Sequence, residues 1–231
     1  MITLGASSPS GPRFANRRQA GVALAGRLSQ FAGRDDVVVL ALPRGGVPVA
    51  YEVARALHAP LDVFVVRKLG LPGHEEFAIG AIASGGIQVI NHEAVALYRL
   101  SDATIETVAR AERRELERRE AIYRTGRAPV PLEGRVVVLV DDGLATGATM
   151  RAAVLAARQR QPSRIVVAVP VGSRDTCREL GETADQVICV SMPEPFLAVG
   201  LWYQDFSQTS DEEVRQLLAA GPPQPQLQRS A

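Results

Sequence analysis

Short runs of aliphatic residues alternate with segments of helical periodicity along most of this chain. The runs are almost continuously apolar, which is typical of parallel strands buried on both faces. They predict five strands, at 37–42, 61–66, 136–140, 165–169 and 187–190. The amphipathic segments predict helices over 16–31, 47–58, 101–124, 148–159 and 173–182, and from Ser210 onward. This alternation predicts an α/β domain with a mostly parallel sheet flanked by helices.

Three further features refine this pattern. The segments 79–83 and 87–90 flank Gly85 and Gly86 and predict a β-hairpin. The dense Glu and Arg residues of 101–124, with a thin apolar stripe, predict a solvated helix held by ion pairs one turn apart. Residues rich in Ser, Gly and Pro at 1–12 and 221–231 predict termini without fixed structure, which leaves one domain over 13–220.

Composition narrows the class of protein. The chain has 231 residues, a net charge of +1 and two cysteines without metal-like spacing. The near-balance of charge argues against a nucleic-acid or membrane-surface partner, and no apolar run approaches the roughly 20 residues that span a bilayer. The first residues lack the apolar core of a secretory signal. We therefore expect a cytoplasmic globular protein.

The most informative loop follows the predicted strand 136–140. Asp141 and Asp142 end the strand, and a loop of small residues with two threonines leads into a helix. Paired carboxylates need hydrogen-bond donors or a cation, while a loop before a helix N-terminus suits a phosphate. Both needs are met by a ribose phosphate. A simple helix cap, a phospho-accepting receiver domain and another phosphate-binding α/β site are the alternatives.

Two more distinctive loops follow predicted strands. The sequence LPRGG places Arg44 beside two glycines after the strand 37–42, and an ordinary tight turn is its alternative interpretation. The sequence VRKLGLPGHEE follows the strand 61–66 and carries the adjacent cations Arg67 and Lys68, for which solvation of a strand end is the alternative. Because ligands bind beyond the carboxyl ends of parallel strands, we expect all three loops at one site.

The loop after 136–140 resembles the phosphoribosyl pyrophosphate (PRPP) signature of type I phosphoribosyltransferases. That signature has four hydrophobic residues, two acidic residues, and then Thr-Gly-small-Ser/Thr, and this chain fits each defining position. The resemblance implies that Asp141 and Asp142 hold the ribose hydroxyls and that the following loop wraps the 5′-phosphate. The residues it assigns to PRPP after the acids are Gly143, Ala145, Thr146, Gly147, Ala148 and Thr149.

The same resemblance assigns roles to the other two loops. LPRGG is similar to the pyrophosphate loop, in which Arg44 and the N–H groups of Gly45 and Gly46 would hold the leaving pyrophosphate, and which often carries a strained or cis peptide. VRKLGLPGHEE is similar to the flexible catalytic loop of adenine-type enzymes. Arg67 and Lys68 would neutralise the departing pyrophosphate, and Glu76 would exchange a proton with the base.

A hood over the base is the remaining part of this family. The segment 192–207 is similar to the hood of hypoxanthine-guanine enzymes, with Phe196 and Trp202 as stacking candidates and Asp205 as a polar contact; an aromatic segment that covers the sheet edge is the alternative. Two features depart from the known branches. Ala145 replaces the acid of the hypoxanthine-guanine type, and the charged helix 101–124 fits neither type.

Taken together, the resemblance implies a type I phosphoribosyltransferase fold with a five-stranded sheet and a small hood, closest to uncharacterised members. It implies Mg²⁺-dependent transfer of 5-phosphoribosyl from PRPP to a nitrogenous acceptor, a purine or pyrimidine base, with release of pyrophosphate. Magnesium would be held mainly by PRPP and not by the protein. A homodimer is expected from the family, and a non-catalytic sensor of PRPP or nucleotides with the same fold is the alternative function.

Overall fold

The computed structural model describes residues 13–222 and the backbone of residues 2–4; the side chains of Glu75 and Glu76 are outside this description. The strands are β1 Ile2–Leu4, β2 Val37–Ala41, β3 Leu61–Val63, β4 Val66–Leu71, β5 His74–Ala83, β6 Ile87–Ile90, β7 Val136–Val140, β8 Arg164–Val171 and β9 Gln186–Ser191. The α-helices are α1 Arg17–Arg27, α2 Gly46–Leu57, α3 His92–Leu97, α4 Asp102–Arg124, α5 Ala148–Arg158, α6 Arg174–Leu180 and α7 Asp211–Ala220. Single 3₁₀ turns lie at Ser29–Phe31 and Val199–Trp202.

The main sheet is parallel, with the strand order β1-β9-β8-β7-β2-β3. Its last five strands in this order are the five predicted from the aliphatic runs, so the predicted parallel core is confirmed. The strand β1 adds a short sixth member, in register Ile2 to Val187. It lies within 1–12, where no fixed structure was expected; the rest of that segment and residues 223–231 lie outside the described residues.

A second, antiparallel sheet with the order β4-β5-β6 corrects two expectations. The run 61–66 is not one strand, because the chain leaves the main sheet after Val63 and enters the small sheet at Val66. Ser84 Oγ accepts a hydrogen bond from the Val65 N–H at this crossing. The expected loop 66–76 is instead mostly the hairpin of β4 and β5, which turns at Gly73. The predicted hairpin 79–83 and 87–90 is confirmed as β5 and β6.

Helices cover both faces of the main sheet because alternate residues of each strand face opposite sides. On β2, Val39 and Ala41 pack in the core under α1, α2, α4 and α7. Val38 and Leu40 of the same strand pack in the core under α5 and α6. The helix beginning after Ser210 is confirmed, and Ser210 Oγ accepts a hydrogen bond from the Glu213 N–H.

The helix α4 is less solvated than its charge pattern predicts. Its outer face carries ion pairs such as Arg119 to Glu115 one turn away, as expected. Its inner face is buried against the small sheet and α7 through Ile105, Leu116 and Tyr123. The predicted ion pairs are therefore confirmed, and the thin apolar stripe forms a buried inner face that Tyr123 extends.

None of the helices within 13–222 is both long enough and apolar enough to cross a lipid bilayer.

Candidate functional site

The loops after β2 and β7 lie side by side because these strands are neighbours, with Ala41 in register with Val140. Glycines make this approach possible. A Cβ on Gly46 would lie 2.7 Å from the Val140 carbonyl oxygen and 2.9 Å from Asp141 Cα, which are backbone atoms that cannot move aside. A Cβ on Gly45 would overlap the Asp142 carboxylate. The predicted pyrophosphate loop and the predicted acid pair therefore form one site.

The loop 42–46 has the backbone that the family resemblance implied at Arg44. The Pro43–Arg44 peptide is cis. The Arg44 side chain extends toward α7, where its Nη1 lies 3.6 Å from Asp211 Oδ1. The Gly46 N–H donates to the Leu42 carbonyl at 3.1 Å as α2 begins. The absence of a side chain at Gly46 lets the two loops approach closely. Its N–H, to which the resemblance assigned the pyrophosphate, donates instead to Leu42 within the loop.

The acid pair is held apart by its own backbone. The Asp142 N–H donates to Asp141 Oδ1 at 2.8 Å, which directs the two carboxylates differently. Burial raises the pKa of Asp141 well above its usual range, and the nearby Asp142 charge raises it further. Burial also raises the pKa of Asp142, although Arg17 opposes this rise. Both acids therefore carry a desolvation cost that a bound donor or cation would relieve.

Arg17, at the start of α1, is a site residue that sequence reasoning missed. Its Nε donates to Asp142 Oδ2 at 2.9 Å, and its Nη1 donates to the Ser207 carbonyl at 2.6 Å. Its guanidinium also lies 4.0 Å from the centre of the Phe206 ring. The local sequence does not indicate this role for Arg17. Its partner Asp142 lies 125 residues away along the chain, and the neighbouring Arg18 carries the same charge, so the sequence does not distinguish the two arginines.

The predicted phosphate loop is rigidly supported. Gly147, with φ +68°, caps the N-terminus of the eleven-residue helix α5. Thr176 Oγ1 donates to the Ala145 carbonyl at 2.7 Å, and Leu144 pairs with the backbone of Val171 and Ser173. Gly143 is packed so closely on Val199 that a Cβ would lie 2.5 Å from it. Within this frame Ala145, Thr146, Ala148 and Thr149 are exposed, and they precede or begin a helix whose dipole favours an anion.

A cleft of about 600 Å³ joins the predicted catalytic cations to the phosphate loop. Its walls include Arg67 and Lys68 of β4, Glu112 of α4 and Thr149 of α5. Arg67 Nε and Nη2 donate to Glu112 Oε2 at 2.7 and 2.6 Å. Lys68, the next residue of β4, lines the same cleft, and its side chain is exposed. Sequence reasoning missed Glu112, whose charge is one among many on α4.

Glu76 lies on β5 by its backbone, and its side chain falls outside the described residues. Its predicted exchange of a proton with the base therefore stays a prediction.

The hood brings different aromatic residues to the acid pair than the sequence indicated. Phe196 and Trp202 pack with Phe14 and Val199 in a small cluster around Tyr203. The Tyr203 hydroxyl donates to the Asp142 carbonyl at 2.6 Å, and burial raises the pKa of Tyr203 well above its usual range. The stacking of Phe196 and Trp202 on a base therefore stays a prediction, and so does the alternative in which the aromatic residues cover the sheet edge.

The polar candidate of the hood is solvent-exposed. Asp205 Oδ1 accepts from the Ser207 N–H at 2.9 Å, and the hydrogen bonds from Ser207 lower the pKa of Asp205. The segment around Phe14 completes the hood, since the Phe14 N–H donates to the Trp202 carbonyl and the Asp205 N–H donates to the Ala15 carbonyl. The residues just before α1 therefore belong to the hood, which the sequence did not indicate.

Within the part of the chain that the structure describes, no group of three or more His, Cys, Asp or Glu side chains is arranged to hold a metal ion. The two partly buried acids could accept hydrogen bonds or face a cation that arrives with a ligand.

Comparison with known proteins identifies the family. Residues 16–201 match the model of the phosphoribosyl transferase domain, so the chain belongs to this family. Two relatives from Mycobacterium tuberculosis, strains H37Rv and CDC 1551, carry provisional names as phosphoribosyl transferases. Each is 50% identical to this chain over 201 residues, which is 87% of this chain and 45% of the relative. The chain thus spans about half the length of these curated relatives.

Solved structures agree on the fold. The TT1426 protein from Thermus thermophilus is 45% identical, with a TM-score of 0.82 over 91% of this chain and 100% of that chain. The AQ2163 protein from Aquifex aeolicus is 12% identical, with a TM-score of 0.51 over 96% of this chain and 99% of that chain, and bears on the fold alone. The predicted α/β fold of type I phosphoribosyltransferases is therefore confirmed.

Proposed function

We propose that this chain transfers the 5-phosphoribosyl group of PRPP to a nitrogen atom of a purine or pyrimidine base and releases pyrophosphate, a reaction of nucleotide salvage. The observation that carries the proposal is that the acid pair, the glycine loop and the loop before α5 lie together at the carboxyl ends of β2 and β7. The two partly buried acids suit the ribose hydroxyls of one ligand, the glycine loop suits its pyrophosphate, and the exposed loop before a helix N-terminus suits its phosphate.

In this proposal the ribose hydroxyls donate to Asp141 and Asp142, and the 5′-phosphate binds the loop that ends at Thr149. Desolvation by burial raises the pKa of both acids. Hydrogen bonds from the ribose hydroxyls would offset this desolvation. Mg²⁺ carried by PRPP would supply further charge neutralisation. The acids then favour the positive charge that grows on the ribose as the bond to pyrophosphate weakens.

The chemical step breaks the bond between ribose C1 and the pyrophosphate oxygen and forms a bond from C1 to the base nitrogen. The electron pair of the broken bond leaves with pyrophosphate, and the base nitrogen loses its proton, for which Glu76 is the proposed acceptor. Arg67 and Lys68 would stabilise the leaving charge. Arg67 is paired with Glu112, so Glu112 would hold this guanidinium in the cleft.

Calorimetry of PRPP with and without Mg²⁺ tests the proposal, followed by an assay of pyrophosphate release with each common nucleobase. Magnesium-dependent binding with release for one base supports the transferase. Binding without release for any base favours the alternative of a PRPP sensor. Absence of PRPP binding would contradict both functions.

A double variant provides the matched test of the site. Asp141→Asn with Asp142→Asn keeps the size of both side chains and removes both charges. We expect PRPP binding to be lost while the protein stays folded, as judged by its thermal transition and circular dichroism. Retained PRPP affinity in this variant would refute the role of the acid pair.

A further inference from the structure

Arg17 connects three segments that meet at the acid pair. Its guanidinium is bonded to Asp142 of the β7 loop and to the Ser207 carbonyl of the hood, and it lies over the Phe206 ring. Its side chain is 11% exposed, and that of Asp142 is 16% exposed. A guanidinium with so little solvent needs an anionic partner, because burial of an unpaired charge is costly. A ligand that breaks the ion pair between Arg17 and Asp142 must therefore provide another anionic partner for Arg17.

The position of Arg17 identifies which part of the ligand could be that anion. A Cβ on Gly45 would lie 3.3 Å from Arg17 Nε, so the guanidinium lies against the backbone of the proposed pyrophosphate loop. Arg44, to which the sequence assigned the pyrophosphate, extends instead toward Asp211 on α7. Arg17 is therefore a buried cation that lies directly beside both the acid pair and the glycine loop.

Ligand binding creates an exchange at Asp142. In the proposed complex the ribose hydroxyls donate to the carboxylates. One of the acceptor atoms there, Asp142 Oδ2, already accepts a hydrogen bond from Arg17 Nε. One new hydrogen bond to this oxygen would weaken or replace the contact with Arg17. PRPP brings its pyrophosphate to Gly45 in the same binding event, so the released guanidinium would meet an anion without movement of α1.

We propose that Arg17 is a pyrophosphate-binding residue, which Asp142 holds in position until PRPP arrives. This inference rests on the proposed function and deepens it. A cation at this place would also stabilise the charge that leaves with pyrophosphate. Through Ser207 and Phe206, the same side chain would make the position of the hood depend on whether the ligand is bound.

The test compares ligands with and without pyrophosphate in the variants Arg17→Met and Arg17→Lys. The probes are PRPP, ribose 5-phosphate and inorganic pyrophosphate, each titrated by calorimetry in the presence of Mg²⁺. We expect Arg17→Met to weaken PRPP and pyrophosphate about tenfold or more, the scale of one charge-assisted contact. Ribose 5-phosphate should bind with unchanged or slightly higher affinity, because Asp142 is free from the competing cation. Arg17→Lys should restore part of the loss.

Arg18→Met is the matched control. Arg18 is the next residue on α1, its side chain is 68% exposed, and it pairs with Glu52, which keeps its second partner Arg55. We expect this variant to bind all three probes as the wild type does. Thermal transitions of all variants show whether any loss of affinity follows a loss of fold.

Each other outcome has a distinct meaning. Equal losses for PRPP and ribose 5-phosphate in Arg17→Met would mean that Arg17 only positions Asp142, and unchanged affinity for PRPP would mean that Arg17 does not meet the pyrophosphate; either result overturns this inference and leaves the proposed function intact. Failure of the wild type itself to bind PRPP would overturn the proposed function and this inference with it.

Discussion

At the scale of single residues, the acid pair lowers the free energy of unfolding at high pH and has a proposed role in ligand binding. Asp141 is partly buried at the end of a strand, and its pKa is raised first by burial and then by the charge of Asp142. An acid whose pKa is higher in the folded state binds its proton more tightly there than in the unfolded chain. Its contribution therefore favours folding at low pH and is lost as the pH rises through the folded-state pKa.

Asp141→Asn should consequently stabilise the ligand-free protein at pH 8 while it weakens PRPP binding. The amide oxygen can still accept from the Asp142 N–H, but the buried charge is gone. We expect a gain on the order of 1 kcal/mol, the common scale of a single substitution. The gain should shrink as the pH falls, because the wild-type acid then takes up a proton and loses its buried charge. Urea denaturation between pH 4 and pH 9 measures the difference.

Asp36→Asn is the control, because its expected change in stability at pH 8 is opposite in sign to that of Asp141→Asn. The hydrogen bond from Arg34 lowers the pKa of Asp36, so this exposed acid contributes stability at higher pH, where it is charged. A small loss of stability at pH 8 is expected for this variant. If Asp141→Asn also lost stability at pH 8, the idea that burial of Asp141 carries a cost would be wrong.

Gly46 allows a second residue-scale prediction. A Cβ there meets backbone atoms of Val140 and Asp141 at 2.7 and 2.9 Å, so Gly46→Ala must push the two loops apart. We expect a loss of about 1–3 kcal/mol in the free energy of unfolding, as for overpacked sites, together with weaker PRPP binding. Gly26→Ala on α1 is the control, because nothing lies within 4 Å of its Cβ position. It should gain about 0.5–1 kcal/mol. Equal stabilities of the two variants would contradict the close approach.

At the scale of elements, the pattern of the chain predicted the five core strands because each is buried on both faces and is therefore almost entirely apolar; Asp62 of β3 is an exception. It could not predict the change of sheet after Val63. The apolar run continues unbroken through Val66, and only hydrogen-bond partners decide that Phe64 and Val65 form a crossing and not a strand. The sequence VRKLGLPGHEE predicts a flexible loop through its family resemblance, whereas most of it folds as the hairpin of β4 and β5.

The candidate site was predictable where it is local in sequence. The acids, the glycine loop and the phosphate loop each belong to one short segment, so spacing alone identified them. Arg17 and Glu112 could not be found in this way, since their partners lie 125 and 45 residues away. In the hood, Trp202 and Tyr203 are adjacent, and only the backbone conformation decides that the tyrosine contacts Asp142.

The hairpin of β4 and β5 can be tested through Lys68, the single lysine of the sequence. If the hairpin closes over bound pyrophosphate, PRPP with Mg²⁺ should slow acetylation of Lys68 by an amine-reactive ester several-fold. Ribose 5-phosphate should protect less, because it lacks the pyrophosphate. Mass spectrometry measures the rate, and the α-amine at the start of the same chain is the internal control. Unchanged acetylation of Lys68 at saturating PRPP would exclude its proposed role at the leaving group.

At the scale of the whole molecule, α4 connects the two sheets. Its inner face packs on β4 and β5, and its last residue, Arg124, reaches the edge strand β3 of the main sheet. Arg124 Nε donates to Asp62 Oδ1 at 3.2 Å and its Nη2 donates to the Val63 carbonyl at 3.0 Å. Asp62 Oδ2 also accepts from the Val130 N–H at 3.1 Å. This buried group therefore joins β3, α4 and the segment that leads to β7, so it fixes the wall of the cleft relative to the acid pair.

Asp62→Ala should destabilise the whole domain because it leaves the buried N–H groups of Val63 and Val130 without their acceptor and weakens the pairing of a buried guanidinium. Removal of one partner from a buried ion pair typically costs several kcal/mol, and we expect about 3 kcal/mol here, since Arg124 keeps Glu120. Asp175→Ala, which breaks an exposed pair with Arg178, should cost less than about 1 kcal/mol. Chemical denaturation followed by tryptophan fluorescence and circular dichroism compares them. Because α4 bridges both sheets, the two signals should shift together in Asp62→Ala; a small, local change in one signal alone would mean that the sheets are held together elsewhere.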